Sequence, residues 1–376
     1  MEISRDRALK PETTFKIGGL AKYFARFETP EELREVLAFR TSHNLSSFVL
    51  GGGSNILVSD RGFDGLVIQP VKKGIRVVEE DAKGVVLGVQ AAETWDDTAA
   101  FAVEQQWWGI ENLSHIPGQA GAALVQNIGA YGAQLSDVFQ GAEVMEVATG
   151  EIRILDREVC RLGYRSSIFN TTHKGRFIIS NLRIRLAKHG QPNLRYRDVR
   201  SYFAQRGLAF PSLDEIRQAI TSIRDTKFPF PREEKGGNAG SFFKNPLLTE
   251  AEYLRLEDRF QSNLTRDLAA KLRALRNEFH PADRIKIPAA FLIDACGLKG
   301  FRMGGAQVNP SQAVVLLNQG GATACDVLSL ARHVRRTVYE KTGVVIDLEP
   351  ELVGFTAAEI AEFTSLEQGV GSQEPE

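Results

Sequence analysis

The residues best suited to chemistry fall in two glycine-rich loops and a dispersed polar set. In Leu50-Gly51-Gly52-Gly53-Ser54-Asn55, successive amides without Cβ atoms can form a concave nest for a phosphate or diphosphate, with Ser54 and Asn55 adding side-chain bonds. The alternative is a tight hairpin turn. With Ile at position 56 the run is not GxGxxG, and it lacks the Gly-Lys-Ser/Thr ending of a nucleotide P-loop. A second loop follows His115-Ile116-Pro117: residues 118–132 hold four Gly and four Ala in fifteen positions, with Gln126, Asn127 and Tyr131 among them. Two loops of this kind suit an extended dinucleotide such as FAD, which needs several backbone approaches along its length. Close packing of elements through small residues is the competing explanation.

The polar set is Arg165 in Gly163-Tyr164-Arg165-Ser166-Ser167, Arg224 and Lys227, Ser241 in Gly240-Ser241-Phe242-Phe243, and Glu351 in Glu349-Pro350-Glu351. Arg offers a planar fork to a carboxylate and Lys a point charge to a diphosphate. Taken singly, each has an ordinary explanation: a surface ion pair, a turn serine, a solvated carboxylate.

Elements must bring these groups together. Capping boxes at Thr29-Pro30-Glu31-Glu32 and Ser212-Leu213-Asp214-Glu215 start helices, the second with Ile216, Ala219, Ile220 and Ile223 on one face and Arg224 and Lys227 near its end. Thr94 is placed to cap a helix carrying Ala99, Phe101, Ala102 and Val103. Strands are expected at 48–50, 56–58, 66–68, 75–78, 85–89, 143–148, 151–155, 177–186, 313–317 and 344–348. Two charged helices lie between 249 and 279, a short helix over 288–296 ends at Gly297, and Thr323 opens a helix with Val327, Leu330, Ala331, Val334 and Val338 inward. The tail after Gly354 is expected to be polar and disordered.

The 376 residues, 43% hydrophobic and 25% charged, are enough for two or three globular domains. Lys and Arg total 46 against 47 Asp and Glu, a balance that leaves no excess cation for a nucleic acid. The start lacks a secretory signal, and no apolar run approaches the ~20 residues of a bilayer span, so a cytoplasmic location without membrane insertion is expected. Cys160, Cys296 and Cys325 and six dispersed His give no disulfide framework and no metal-ligand spacing, so no metal is expected.

Together, GGGSN, IPGQAGAALVQNIGAYG, GYRSSIF, GNAGSFFKNP, IDACGLKG, GGAQV and LEPE stand in the order and at the separations of the UDP-N-acetylenolpyruvoylglucosamine reductases, the MurB flavoenzymes of peptidoglycan synthesis. The resemblance runs from about Thr14 to Gly354, and Asn193-Leu194-Arg195-Tyr196-Arg197-Asp198 resembles the tyrosine loop of the longer subtype. It implies an α+β fold: an FAD-binding lobe of the vanillyl-alcohol-oxidase (PCMH) type, in two α+β subdomains over 1–70 and 71–225, then an α/β substrate-binding domain over 226–345. Residues 346–376 would hold a strand returning to the flavin and a polar tail. It implies non-covalent FAD, NADPH as reductant, and reduction of UDP-N-acetylglucosamine enolpyruvate to UDP-N-acetylmuramate.

By the same match, Arg165, Ser241 and Glu351 are the catalytic residues. Gly51, Gly52, Gly53, Ser54, Asn55, Ile116, Pro117, Gly118, Gly121, Ala122, Asn127 and Gly129 line the cofactor. Gln126, Tyr131, Tyr196, Arg224, Lys227, Asn245 and Gln312 line the UDP-sugar. Ala122 and Ala123 depart from relatives that carry a hydroxyl beside the glycine matching Gly121, and Ser166 stands where Asp or Asn is frequent. Two rival readings are a flavin oxidase of the same cofactor fold and a flavin- or nucleotide-binding regulator without turnover.

Overall fold

The computed structural model describes residues 2–227, 236–263, 265–276 and 284–364. The chain divides into two compact units: residues 1–14, 20–54 and 63–230 form the first, and residues 15–19, 55–62 and 231–376 the second.

The first unit is built on two sheets. One runs in the order Ile3–Ala8, Leu20–Phe27, Phe63–Pro70, Ser47–Val49, its last three strands parallel neighbours. Helix Pro30–Ser42 starts at the expected capping box, Thr29 accepting from the Glu32 amide, and buries Leu33, Val36 and Leu37 against Tyr23, Ala25, Leu66 and Ile68. The other sheet is antiparallel, in the order Ile152–Asp156, Phe139–Glu146, Phe177–Ala187, Gly84–Gln90, Ile75–Glu80. Its apolar face packs on helices Trp95–Glu104 and Ala120–Val125 around fully buried Trp95, whose indole donates to the Leu113 carbonyl. Helices Arg197–Ala204 and Leu213–Lys227 close over a smaller core of Val199, Phe203, Ile216, Ala219, Ile220 and Tyr131.

The second unit centres on helix Ala324–Thr342, capped by Thr323 and stopped at left-handed Gly343. It carries a three-stranded antiparallel sheet of Arg302–Met303, Ala306–Val308 and Leu316–Asn318, the charged helices Glu250–Asn263 and Arg266–Arg276, and helix Ala289–Ala295.

Four expectations need correction. The strands flanking the first glycine loop are not a hairpin: Ser47–Val49 pairs with Phe63–Pro70, whereas Ile56–Val58 pairs in parallel with Glu351–Val353. Residues 344–348 are not a strand although Val344 and Ile346 are buried; the side chain of Arg335 takes the Ile346 carbonyl, so their polar needs are met outside a ladder. The strand of 313–317 begins only at Leu316, with Val315 bridging Ser241. Where a polar tail was expected, Ala357–Thr364 is a helix; residues 365–376 lie outside the described set. Among the described residues no helix is long and apolar enough to cross a membrane.

Candidate active site

In the first unit the two glycine loops meet. A Cβ at Gly52 would lie 2.9 Å from Gly118 Cα, and one at Gly118, where φ is +111°, would lie 2.6 Å from Ser54 Oγ. Ser54 donates its hydroxyl to the Pro117 carbonyl at 3.2 Å. Gly53, at φ +61°, uses its carbonyl to accept from the Thr14 amide at 3.1 Å. Only glycine fits so near an approach of two backbones, which explains the composition of both loops.

Among the described residues no acceptor takes the backbone N–H of Gly51, Gly52, Gly53, Ser54, Gly118 or Gln119. The Gln119 Oε1 is buried without a hydrogen-bond partner. Donors that no described residue accepts, on two loops in contact, favour an anion, and the diphosphate of FAD has the required charge and length. By contrast, the first amides of helix Ala120–Val125 are used internally: Ala120 donates to Glu93 and Gly121 to Ala91. Gly121 is buried, and a Cβ there would sit 2.9 Å from the Ala91 Cβ, so helix packing by itself demands this glycine. Ala122 is on the exposed side of that helix, toward Gly51. Ile116 packs against the core beneath the loop.

Arg165 sits in the tight turn Gly163–Ser166, closed by reciprocal backbone bonds of 2.9 and 3.2 Å, with φ at +52°. Its Nη2 donates to the Gly129 carbonyl at 3.0 Å, and the Asn170 side chain donates to the Arg165 carbonyl at 3.2 Å. Asn127 stabilises the turn from below. Its Nδ2 donates to the Gly163 carbonyl at 2.8 Å and its Oδ1 accepts from the Ser136 amide, leaving the side chain wholly engaged within the protein. Any contact of Asn127 with a cofactor therefore falls to its backbone. Of nine non-glycine residues with positive φ among the described residues, four (His115, Asn127, Tyr131 and Arg165) are in these loops, a concentration of backbone strain typical of functional sites.

Tyr131 and Tyr196 form an edge-to-face ring pair with centroids 5.2 Å apart. Burial pushes the Tyr131 hydroxyl up to about 12, so it remains a neutral donor at ordinary pH; the Arg224 guanidinium opposes the shift. Arg224 donates its Nε to the His115 carbonyl at 2.6 Å, and Lys227 is ion-paired with Asp198. The Gln126 side chain makes no hydrogen bond among the described residues.

Sequence reasoning overlooked two polar groups here. Asn112, 1% exposed, donates through Nδ2 to the carbonyls of Tyr131 (2.7 Å) and Asn193 (2.9 Å), fixing the two tyrosine segments together. Asp96 accepts from both terminal nitrogens of Arg217, at 2.7 and 3.0 Å, and from the His115 amide. Burial disfavours its charge, yet these three donors hold its carboxyl below the ordinary range. Both residues look like routine helix polarity in sequence; only non-local contacts reveal them.

In the second unit, the segment bearing Ser241 lies between two others. The Phe242 amide donates to Val314 (2.7 Å), Ser241 bridges Val315, and the Phe242 carbonyl accepts from the Glu349 amide (3.0 Å). Two residues on, the Glu351 amide donates to the Asn55 carbonyl (3.0 Å), while the Asn55 side chain donates to the Glu349 carbonyl (3.1 Å). Gln312 accepts from the Val315 amide through its carbonyl, which puts it in the turn opposite Ser241. The Asn245 Oδ1 accepts from the Ala289 amide, the start of helix Ala289–Ala295. Among the described residues no cluster of His, Cys, Asp and Glu could hold a metal ion.

Comparison with known proteins agrees with this organisation. The family model described as "UDP-N-acetylenolpyruvoylglucosamine reductase, C-terminal domain" matches residues 231–353, and one described as "FAD binding domain" matches residues 21–156. A UDP-N-acetylenolpyruvoylglucosamine reductase of Pseudomonas fluorescens is 38% identical over 360 residues, covering 94% of this chain and 99% of that protein. One of Flavobacterium johnsoniae is 35% identical, covering 94% and 100%. The crystal structure of the enzyme from Thermus caldophilus superposes with a TM-score of 0.61 at 25% identity, over 94% of this chain and 98% of that one. Near-complete coverage in both directions, joined to a pair of glycine loops fit for a dinucleotide, gives the α+β chain its place: it belongs to the UDP-N-acetylenolpyruvoylglucosamine reductase family, FAD-containing oxidoreductases of peptidoglycan precursor synthesis.

Proposed function

We propose that the chain reduces UDP-N-acetylglucosamine enolpyruvate with NADPH, and that Arg165, Ser241 and Glu351 act on the reacting group. FAD held there would supply hydride chemistry, carrying a hydride from NADPH to the terminal carbon of the enolpyruvyl ether. The loops 51–54 and 116–119 hold the cofactor non-covalently, with the amides of Gly51, Gly52, Gly53 and Ser54 on its diphosphate. Negative charge then grows on the carbon bearing the ether oxygen and spreads into the adjoining carboxylate. The Arg165 guanidinium, preset by its bond to Gly129, stabilises that charge, the contribution that usually dominates such catalysis. Glu351 is the third group proposed to act on the same reacting atoms.

Ser241 gives its hydroxyl proton to the same carbon, completing the lactyl ether, and recovers a proton from solvent. A serine is a weak acid, but an enolate is basic enough to take its proton when the hydroxyl is held in line. Arg224, Lys227, Tyr131, Tyr196, Gln126, Asn245 and Gln312 line the UDP-sugar, Lys227 exchanging Asp198 for the diphosphate. A UDP-sugar and NADPH are both cytoplasmic metabolites, which supports a cytoplasmic location.

The observation that carries this reading is the hydrogen bond from the Glu349 amide to the Phe242 carbonyl, which joins the Ser241 and Glu351 stretches within one unit. Anaerobic spectroscopy tests it. The yellow protein should bleach with NADPH and regain colour with the enolpyruvyl UDP-sugar. Ser241→Ala should bleach normally yet lose at least about 10³-fold in turnover. Normal turnover by that variant removes Ser241 from the mechanism, and recolouring by oxygen at a comparable rate favours an oxidase.

A further inference from the structure

His115, which leads into the loop proposed to hold FAD, is held at its N–H, its carbonyl and its ring from helices Trp95–Glu104 and Leu213–Lys227. Its N–H donates to Asp96, which is itself locked by both terminal nitrogens of Arg217. Its carbonyl accepts from Arg224 Nε, and its ring Nε2 lies 3.0 Å from Asp225 Oδ1. Arg217, Arg224 and Asp225 stand at i, i+7 and i+8, one face of a single helix. His115 itself has φ +59°, an unfavourable conformation for a residue with a Cβ that persists only where its surroundings enforce it.

We propose that Asp96, Arg217 and Asp225 are positioning residues that clamp His115, so that helix Leu213–Lys227 sets the placement of loop 116–119 and couples flavin binding to UDP-sugar binding. This rests on the site reading given above, in which the loop meets FAD and the helix end meets the UDP-sugar. The physical route is short. A diphosphate that draws on Arg224 acts on the group holding the His115 carbonyl, and that carbonyl is one residue from Ile116 and three from Gly118. Coupling between two ligands is reciprocal, so the UDP moiety should tighten FAD by the factor by which FAD tightens UDP.

Apoprotein reconstituted with FAD, followed by flavin fluorescence with and without saturating UDP-N-acetylglucosamine, tests the proposal. Wild type should bind FAD about 5-fold or more tightly with the nucleotide present. Arg217→Met and Asp225→Asn should each weaken FAD binding and bring that factor toward one. Asp225→Asn has the smaller effect because its carboxylate is exposed. Melting of the apoproteins provides the control for a merely structural role. Variants that fold and retain the wild-type factor, or a wild type that shows none, overturn the clamp. A wild type that binds no FAD instead overturns the underlying site reading.

Discussion

At the scale of single residues, the glycine loops show how absence of a side chain becomes function. Gly52 and Gly118 bring two backbones into contact, and their amides, which no described residue accepts, are the proposed anion site. Gly52→Ala puts a Cβ 2.9 Å from Gly118 Cα, a backbone atom unable to swing aside, so the loops must part. The expected result is about 1–3 kcal/mol lost from the apoprotein and FAD affinity reduced by at least about 10-fold. Gly175→Ala is the informative comparison: its φ is +77° but a Cβ there meets nothing within 4 Å. It should cost about 1–2 kcal/mol in urea unfolding while leaving the FAD titration unchanged. Equal flavin affinity in the two variants would mean that loop separation is irrelevant to cofactor binding.

At the scale of elements, what the sequence made legible was what is local. The capping boxes at Thr29 and Ser212 form and Thr323 caps the helix it was expected to open, because each needs contacts only three residues apart, whereas Thr94 stands before its helix without a side-chain cap bond. Glycine-rich loops and the β-branched strands of 75–90 were equally visible. Partners were not: nothing within Ile56-Leu57-Val58 says that its neighbour is Glu351–Val353, nearly three hundred positions later. The run Val344–Leu348 read as a strand because burial and β-branching mimic one, whereas a buried arginine supplies its hydrogen bond.

That arginine governs an element of its own. Arg335, 4% exposed, donates Nε to the Ile346 carbonyl (2.8 Å) and Nη1 to the Phe363 carbonyl (2.7 Å), with its guanidinium 4.9 Å from the Phe363 ring centroid. It therefore ties helix Ala357–Thr364 to the approach of the Glu351 strand. Arg335→Met leaves both carbonyls buried without a donor and should destabilise by about 2–5 kcal/mol, measured by urea unfolding. Lysine, with one compact charge, should restore only part of this. Cleavage after residue 354 in limited proteolysis should rise in the methionine variant; unchanged protection would show that the helix docks without Arg335.

At the scale of the whole molecule, chain order and compact units disagree. The second unit takes residues 15–19 and 55–62 from the amino-terminal part of the chain. Phe15, Ile17, Leu57 and Val58 are at most 2% exposed. Phe15 packs edge-on against Phe242, and the Asn318 side chain donates to the Phe15 carbonyl. Asp60 accepts from the Ala324 and Cys325 amides at the start of the long helix, and Ser59 donates to Val353. At about 1.5–3 kcal/mol for each buried side chain, the four apolar residues contribute on the order of 6–12 kcal/mol, as much as the whole stability of a typical domain. Residues 231–376 expressed alone should therefore fail to fold: far-UV circular dichroism should show reduced helix and no cooperative melt. Loss of Ile56–Val58 would also leave the Glu351 strand with an open edge, prone to pair with other copies. A monomeric fragment with a sharp melt would show that the two early segments are dispensable. If they are indispensable, Glu351 cannot be presented until residues from both ends of the chain have come together, and the carboxyl proposed to act on the substrate becomes a late product of folding.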